Sequence, residues 1–165
     1  MIVSIKEVKR FIISILVPIL VGVSSSLISQ LISKIDTTTY YSDLIKPSFA
    51  PPASIFGIVW PILFILMGIS FYIIYRQGKN NPKVNDALFY YYLQLGLNFL
   101  WSILFFGFDL RFTALFNIGL LIVVVIVMII KFYQIDKKAA ILNIPYLIWL
   151  IYAFFLNYFI WIINK

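Results

Sequence analysis

The sequence Lys46-Pro47-Ser48-Phe49-Ala50-Pro51-Pro52 marks the sharpest boundary in the chain, because a polar loop ends there and an apolar segment begins. Prolines suit the first turn of a helix, where the missing N–H would have no partner in any case. The aromatic residues that follow are spaced four apart and so share one helical face: Phe56, Trp60 and Phe64. The stretch therefore predicts a charged, proline-stiffened lip that leads to an aromatic stripe, as at the mouth of a pocket.

The composition excludes an ordinary water-soluble domain. Of the 165 residues, 63% are hydrophobic and 12% are charged, and the mean hydropathy is +1.02. A soluble domain has roughly a quarter charged residues and half apolar ones. A chain of this size cannot bury so much apolar surface in one core, so the lipid bilayer is the expected solvent for most of it.

Charged residues are missing from five windows, each long enough to cross a bilayer. These windows are residues 11–33, 47–75, 87–108, 112–130 and 139–164. A spanning helix needs roughly 20 apolar residues, and lipid offers backbone groups no hydrogen-bond partner. The sequence therefore predicts an all-α membrane protein, a bundle of five transmembrane helices. It forms a single domain over residues 1–165, with helices at about 8–33, 52–75, 86–106, 112–133 and 139–163.

The net charge of +7 comes from cations in short loops. They form no patch, so the pattern does not predict nucleic-acid binding. Positive residues concentrate on the cytoplasmic side of membrane proteins, and one side of the predicted bundle holds most of them: Lys6, Lys9, Arg10, Arg76, Lys79, Lys83, Lys131, Lys137 and Lys138. The other side holds only Lys34, Lys46, Arg111 and Lys165. This asymmetry predicts a cytoplasmic N-terminus and an outer C-terminus.

The chain contains no Cys and no His. It offers no disulfide and none of the usual metal or haem ligands, so we predict neither a metal site nor a cofactor. The carboxylates all lie outside the predicted spans or at their ends: Glu7, Asp36, Asp43, Asp86, Asp109 and Asp136. Ion-coupled transporters usually hold ionisable groups at membrane depth. The pattern disfavours an ion-driven pump but allows passive movement of an apolar ligand.

Aromatic and amide side chains share one face on the predicted third and fifth helices. The third helix carries Gln94, Asn98, Trp101 and Phe105, and the fifth carries Trp149, Tyr152, Ala153, Leu156 and Asn157. Such walls suit a large, flat, mostly apolar molecule held by stacking, such as a tetrapyrrole or a sterol. Core packing is the competing interpretation for the rings, and an interhelical hydrogen bond is the competing role for Asn98.

Two further features each allow two interpretations. Residues 34–50 form the longest loop, which is either a lid over a pocket or a solvated connector. Its cations, together with Arg111, could meet a ligand carboxylate at the mouth. The first helix has a face of small residues that permits close approach of another helix, within the chain or across a dimer: Gly22, Ser25, Ser26 and Ser29.

These motifs resemble the TspO/MBR family of translocator proteins, tryptophan-rich sensory proteins and peripheral-type benzodiazepine receptors. The resemblance extends over residues 41–158 and rests on motifs in family order and spacing: Tyr41-x-x-Leu44-x-Lys46-Pro47-Ser48-Phe49-x-Pro51-Pro52, Phe56-x-x-Val59-Trp60 with Met67-Gly68, Gln94-x-x-Leu97-Asn98-x-x-Trp101-Ser102, Phe105-Phe106-Gly107, and Pro145-Tyr146-x-x-Trp149-x-x-x-Ala153-x-x-Leu156-Asn157-Tyr158.

The resemblance implies a five-helix bundle, commonly a homodimer, with a porphyrin-binding pocket that opens near the loop between the first two helices. It implies that Trp60 and Trp149 are the pocket tryptophans, and that Tyr41, Asn98 and Ala153 lie at pocket positions. Together with the aromatic faces, it predicts this ligand-binding set: Tyr41, Pro47, Pro51, Trp60, Phe64, Gln94, Asn98, Trp101, Phe105, Trp149, Ala153 and Leu156.

The sequence departs from the family pattern in two places. Tyr40 and Phe49 stand where relatives often have Trp, so the lip has fewer indole rings. Eukaryotic relatives also carry a sterol motif at the end of the fifth helix, closed by a basic residue. Here Ile162 stands at that position, and such motifs are weak in any case, so sterol specificity is not predicted.

Three functions are compatible with the sequence. The first is a membrane receptor or carrier for tetrapyrroles or similar flat apolar ligands. The second is a light- or oxidant-dependent porphyrin-degrading protein, in which Trp60 or Trp149 supplies radical chemistry because residues for ordinary acid–base catalysis are missing. The third is a membrane scaffold that acts through a protein partner. Abundant Ile, Asn, Lys, Phe and Tyr are typical of AT-rich bacterial genomes and favour the plasma membrane.

Overall fold

A computed structural model describes residues 4–78 and 81–165. Its helices are α1 (Ile5–Ser33), α2 (Thr37–Asp43), α3 (Ala53–Tyr75), α4 (Pro82–Ser102), α5 (Arg111–Ile135), α6 (Lys137–Ile141) and α7 (Ile144–Ile163), and a π-helical turn, Ile103–Gly107, extends α4. Within these residues, five segments are long and apolar enough to cross a membrane: Ile5–Ser33, Ala53–Tyr75, Pro82–Gly107, Arg111–Tyr133 and Lys137–Ile163. The described residues contain no strand, and the predicted all-α, five-helix membrane fold is confirmed. Lys79, which contributes to the predicted orientation, lies outside the described residues.

The five spans form a ring. α1 packs against α3 on one side and against α4 and its π-helical turn on the other, α4 packs against α5, and α5 packs against α7. Aromatic side chains close the ring between α3 and α7. The ring centroids of Phe56 and Trp149 are 5.7 Å apart, and those of Trp60 and Tyr146 are 6.4 Å apart.

Two glycines set the distance between α1 and α3. A Cβ atom on Gly68 would lie 2.5 Å from the Cα atom of Ile15 and 2.6 Å from the carbonyl oxygen of Ser14, so this backbone approach requires glycine. On α1, Gly22 leaves the space that the ring of Phe64 occupies. The two helices therefore touch along their backbones at Gly68 and are separated by an aromatic ring at Gly22.

The other small residues of α1 also lie inside the bundle. Ser25 and Ser29 are buried, and the hydroxyl oxygen of Ser29 lies 3.2 Å from that of Ser102 on α4. Of the two interpretations of this face, the structure shows packing within the chain.

The fifth span is broken, although the sequence predicts one continuous helix. Its two parts, α6 and α7, meet at Asn143, two residues before Pro145. Proline disfavours helical geometry at the preceding residue and cannot donate to the carbonyl four residues earlier. At the break, the N–H of Asn143 donates to the carbonyl of Ala140 at 3.0 Å, so the carbonyl of Ala139 lacks its helical donor. That carbonyl accepts hydrogen bonds from Ser70 Oγ at 2.7 Å and from Asn143 Nδ2 at 2.9 Å. The break therefore leaves this backbone acceptor satisfied at membrane depth.

Capping residues explain the other differences from the predicted boundaries. α1 begins at Ile5 because the Ser4 side chain accepts a hydrogen bond from the backbone N–H of Lys6. α4 begins at Pro82, with Asn81 as its N-cap. In the long loop, Asp36 caps α2, a short helix that the sequence analysis treated as part of a loop.

We expect Gly68→Ala to destabilise the protein by about 1–3 kcal/mol, because the new methyl group would overlap the backbone of α1. Denaturation in dodecyl maltoside micelles measures the change. Gly96→Ala is the matched control, since a Cβ atom there meets nothing within 4 Å and alanine favours the helix. Equal stability of the two variants would contradict the close approach of α1 and α3.

Candidate functional site

A cavity of about 500 Å³ lies between α1, α3 and α4, beneath α2. This volume is within the range of small-molecule pockets. None of the described residues that line it is acidic or basic. The lining consists of Ile19, Gly22, Val23, Ser25 and Ser26 from α1, Thr37, Thr38 and Tyr41 from α2, Ala53, Ser54, Phe56, Gly57, Trp60, Pro61 and Phe64 from α3, and Asn98, Trp101, Ser102 and Phe106 from α4 and its π-helical turn.

Aromatic rings from α3 and α4 give the cavity broad, flat surfaces. Trp60 and Phe64 are four residues apart and stack with centroids 5.4 Å apart and an interplanar angle of 30°. Trp101 stacks on the buried ring of Phe105 at 5.2 Å and 18°. The edge of Phe106 meets Trp101 at 5.8 Å. These rings are held by their neighbours before any ligand arrives, which favours stacking with a flat molecule.

A buried polar network stands behind the aromatic rings. Asn98 Nδ2 donates to the Tyr146 hydroxyl at 3.0 Å, and that hydroxyl donates to Gln94 Oε1 at 3.0 Å. The amide of Gln94 lies 3.8 Å from the sulfur of Met67. The two roles considered for Asn98 coexist, because it bonds across helices and also lines the cavity.

The short helix α2 covers one end of the cavity. Asp36 accepts backbone hydrogen bonds from Thr38 at 3.0 Å and from Thr39 at 2.9 Å. A further hydrogen bond from the Thr39 side chain, with these backbone bonds, holds the pKa of Asp36 below its usual value. A capping carboxylate that stays ionised fixes the start of α2.

Tyr41 connects α2 to the start of α3. Its buried hydroxyl donates to the carbonyl of Pro51 at 3.0 Å, and its ring meets the edge of Phe56 at 5.0 Å. Burial raises the pKa of Tyr41 to about 12, so the hydroxyl remains a neutral donor at physiological pH. The predicted proline lip is thereby folded against α2.

Lys46 closes the same segment from the other side. Its Nζ donates to the carbonyls of Tyr41 at 2.9 Å, Ser42 at 2.8 Å and Leu44 at 2.9 Å. An ammonium group has three donors, so all of them are used by the backbone of the loop. Lys46 is therefore a structural cation in this state, and it does not line the cavity.

A second set of contacts ties the loop to the rest of the bundle. The Tyr40 hydroxyl donates to Asp109, and Arg111 forms an ion pair with Asp109 at 2.7 Å. Arg111 also donates to the carbonyl of Asn164 at 2.9 Å. The Asn164 side chain accepts from the N–H of Ile45 at 3.0 Å and donates to its carbonyl at 2.8 Å. Burial and the bond to Asp109 raise the pKa of Tyr40 to about 12, so this donor keeps its proton.

The structure brings five of the predicted ligand-binding residues together at the cavity: Tyr41, Trp60, Phe64, Asn98 and Trp101. The remaining seven lie around it. Pro47 and Pro51 are turn and lip residues, Gln94, Phe105 and Leu156 are buried in the core, and Ala153 lines a void of about 10 Å³ beside Trp60, Asn98 and Trp101. The seventh residue is Trp149.

Trp149 lies outside the cavity lining, although the resemblance implies a pocket role. The ring of Phe56 lies against it at 5.7 Å, and Tyr152 packs beside it at 5.4 Å. Among the described residues its buried indole N–H has no hydrogen-bond partner. Phe56 belongs to both the cavity lining and this aromatic contact, so it separates Trp149 from the space that Trp60 lines.

Several residues that line the cavity were not predicted as site residues. Thr37 and Thr38 belong to α2, whose helical fold was not predicted. Gly57 and Pro61 lie between the rings of the aromatic stripe on α3, and Ser25 lies on the small-residue face of α1. The available signals were the proline in the second span, to which no role was assigned, and the small residues in the first, which were interpreted only as a surface for helix packing.

Comparison with known proteins agrees with this architecture. The TspO/MBR family model matches residues 14–162. The tryptophan-rich protein TspO of Archaeoglobus fulgidus is 42% identical over 126 residues, which is 76% of this chain and 80% of that protein. The human translocator protein is 35% identical over 123 residues, which is 74% of this chain and 73% of that protein.

A third relative is the tryptophan-rich sensory protein of Cereibacter sphaeroides, which is 33% identical over 120 residues, or 72% of this chain and 73% of that protein. The family model's match includes the loop that covers the cavity and reaches into all five spans. This chain is an integral membrane protein that belongs to the TspO/MBR family.

Proposed function

We propose that the protein is a membrane receptor or carrier that binds tetrapyrroles, or similar flat and mostly apolar ligands, in the cavity beneath α2. The observation that carries this proposal is a charge-free cavity of about 500 Å³ with aromatic walls inside a transmembrane bundle. Burial of an aromatic ligand between such walls releases apolar surface from water and adds stacking. The hydroxyl and amide groups of the lining can orient the ligand.

The segment of residues 34–50 acts as a lid in this proposal. α2 contributes three residues to the cavity. Its Tyr41 bonds to Pro51, just before α3, and its Tyr40 bonds to Asp109, in the turn before α5. The loop that follows α2 bonds through Ile45 to Asn164, at the end of α7. These attachments include ring contacts of Tyr41 with Phe56 and of Phe49 with Tyr152 as well as hydrogen bonds. The larger hydrophobic core contains no residue of this segment, so the attachments can open without disrupting that core. Ligand entry or release then requires their transient loss.

The orientation and the membrane are also proposals. The positive-inside pattern supports a lid on the outer side, with the N-terminus in the cytoplasm, and composition supports a bacterial plasma membrane. The homodimer that the family resemblance implies stays a prediction, because the small residues of α1 that suggested an interface are used within the chain.

Substitution of a cavity tryptophan tests the binding site. We expect Trp60→Ala to weaken protoporphyrin binding about 10- to 100-fold, from the loss of a large stacking surface. The Soret absorbance of the porphyrin reports binding without relying on protein fluorescence. Trp161→Ala, which removes a ring outside the cavity, should leave the affinity unchanged.

The same titration tests whether Trp149 belongs to the binding site, as the family resemblance implies. Trp149→Ala should weaken binding less than Trp60→Ala, because Phe56 separates Trp149 from the cavity. Equal affinities of the Trp60→Ala and Trp161→Ala variants would remove the assignment of this cavity as the porphyrin site.

The lid predicts a kinetic effect of Asn164→Ala. This change removes two hydrogen bonds to Ile45, and we expect ligand dissociation to accelerate about 5- to 100-fold. Association should accelerate as well, so the equilibrium affinity changes less than either rate. Stopped-flow measurement with protoporphyrin gives both rates. The control is Asn85→Ala, which changes an asparagine in the first turn of α4, away from the lid. Unaltered rates in Asn164→Ala would show that the loop is a static connector.

A further inference from the structure

The cavity is open to the side, between α1 and α3. Val23 of α1 lines the cavity and is 51% exposed. Gly57 and Pro61 on α3 likewise line the cavity and are exposed. All three lie within spans, so the surface they share with the outside faces lipid. The helices touch at Gly68 and leave this gap toward the lid.

Pro61 removes one hydrogen bond from α3 at this gap. In an α-helix the N–H of each residue donates to the carbonyl four residues earlier. Proline has no N–H, so the carbonyl of Gly57 lacks its helical donor. A helical carbonyl points along the axis toward the residue four positions ahead, and both Gly57 and Pro61 line the cavity. The oxygen therefore lies on the cavity side of α3.

Gly57 leaves this oxygen accessible. Gly57 is exposed and lines the cavity. A carbonyl without a donor is costly at membrane depth, where water does not replace the missing bond. A ligand group that donates to it relieves that cost.

The proline of α1 shows the contrasting case. Pro18 removes the helical donor of the Ser14 carbonyl in the same way. That oxygen packs against Gly68 of α3, where an added Cβ atom would be 2.6 Å away. It is covered by protein, so of these two carbonyls only that of Gly57 is available to a molecule in the cavity.

We propose that the Gly57 carbonyl is the polar anchor of the cavity. It accepts a hydrogen bond from an N–H or O–H group at the edge of a flat apolar ligand, which arrives from the bilayer between α1 and α3. This proposal rests on the proposed function, since the same cavity must hold the ligand. It adds a chemical requirement to that function, because a ligand with an edge donor is preferred over one of the same shape without it.

Two fluorescent probes of nearly equal shape test the anchor. Pyrene has no donor, and 1-hydroxypyrene carries one O–H group. Both are titrated into the full-length protein in dodecyl maltoside micelles, and the affinity ratio of 1-hydroxypyrene to pyrene is compared between variants, so that micelle partition cancels. We expect Pro61→Ala to lower this ratio about 3- to 10-fold, because the backbone N–H that alanine supplies would occupy the Gly57 carbonyl. Pro18→Ala should leave the ratio at its wild-type value.

The outcomes separate the anchor from the proposed function. If both probes bind and the ratio is the same in Pro61→Ala and wild type, the anchor is wrong and the cavity assignment stands. If neither probe binds the wild-type protein, both proposals fail.

An infrared measurement on the wild-type fold provides a second test. In protein labelled with [1-¹³C]glycine, the amide I band of Gly57 is identified by its loss in Gly57→Ala, a change that the open space around this residue tolerates. We expect this band to shift to lower frequency with 1-hydroxypyrene and to stay in place with pyrene. The absence of a shift with bound 1-hydroxypyrene would overturn the anchor.

Discussion

Backbone carbonyls inside a bilayer have no water to bond with, so each one must find a partner or cover within the protein. Prolines in the spans make this constraint visible. In α1 the carbonyl that Pro18 leaves without a donor packs against Gly68, at the point where α1 and α3 touch. Before Pro145 the fifth span breaks, and Ser70 donates to the buried carbonyl of Ala139, which the break leaves without its helical donor. In both places the contact that covers or bonds the carbonyl also fixes how two spans pack.

The third proline, Pro61 of α3, differs from these two because it lies four residues after a glycine and beside the cavity. Gly57 and Pro61 lie one turn apart on the face of α3 that borders both the cavity and lipid. Below them the ring of Phe64 fills the space beside Gly22 and keeps α1 and α3 apart. The contact at Gly68 and the ring at Phe64 together open the helices toward the lid. The cavity therefore follows from the packing of α1 on α3.

The sequence was sufficient for the fold and for five of the residues that line the cavity: Tyr41, Trp60, Phe64, Asn98 and Trp101. Windows without charge located the spans, and the spacing of Trp60 and Phe64 identified a wall of the cavity. The position of Trp149 could not be obtained in this way. Its direction follows from the break at Asn143, and the Asn143 side chain is fixed there by a hydrogen bond to Ser70 of α3, which the sequence pattern does not reveal. Similarly, α2 is too short and too polar for a periodic pattern, so its part in the cavity required tertiary contacts.

The charged side chains beside the lid limit which part of a ligand the protein can bind. Lys34, Lys46 and Arg111 were the cations expected to meet a ligand carboxylate. Of these, Lys46 uses its three donors on loop carbonyls, and Arg111 is held by Asp109 and Asn164. A carboxylate could engage either cation only by displacing contacts that keep the lid in place. Within the proposed function, the ring of a tetrapyrrole enters the cavity because of its shape and stacking. Its acidic groups remain at the headgroup level, where water solvates them without disturbing the lid.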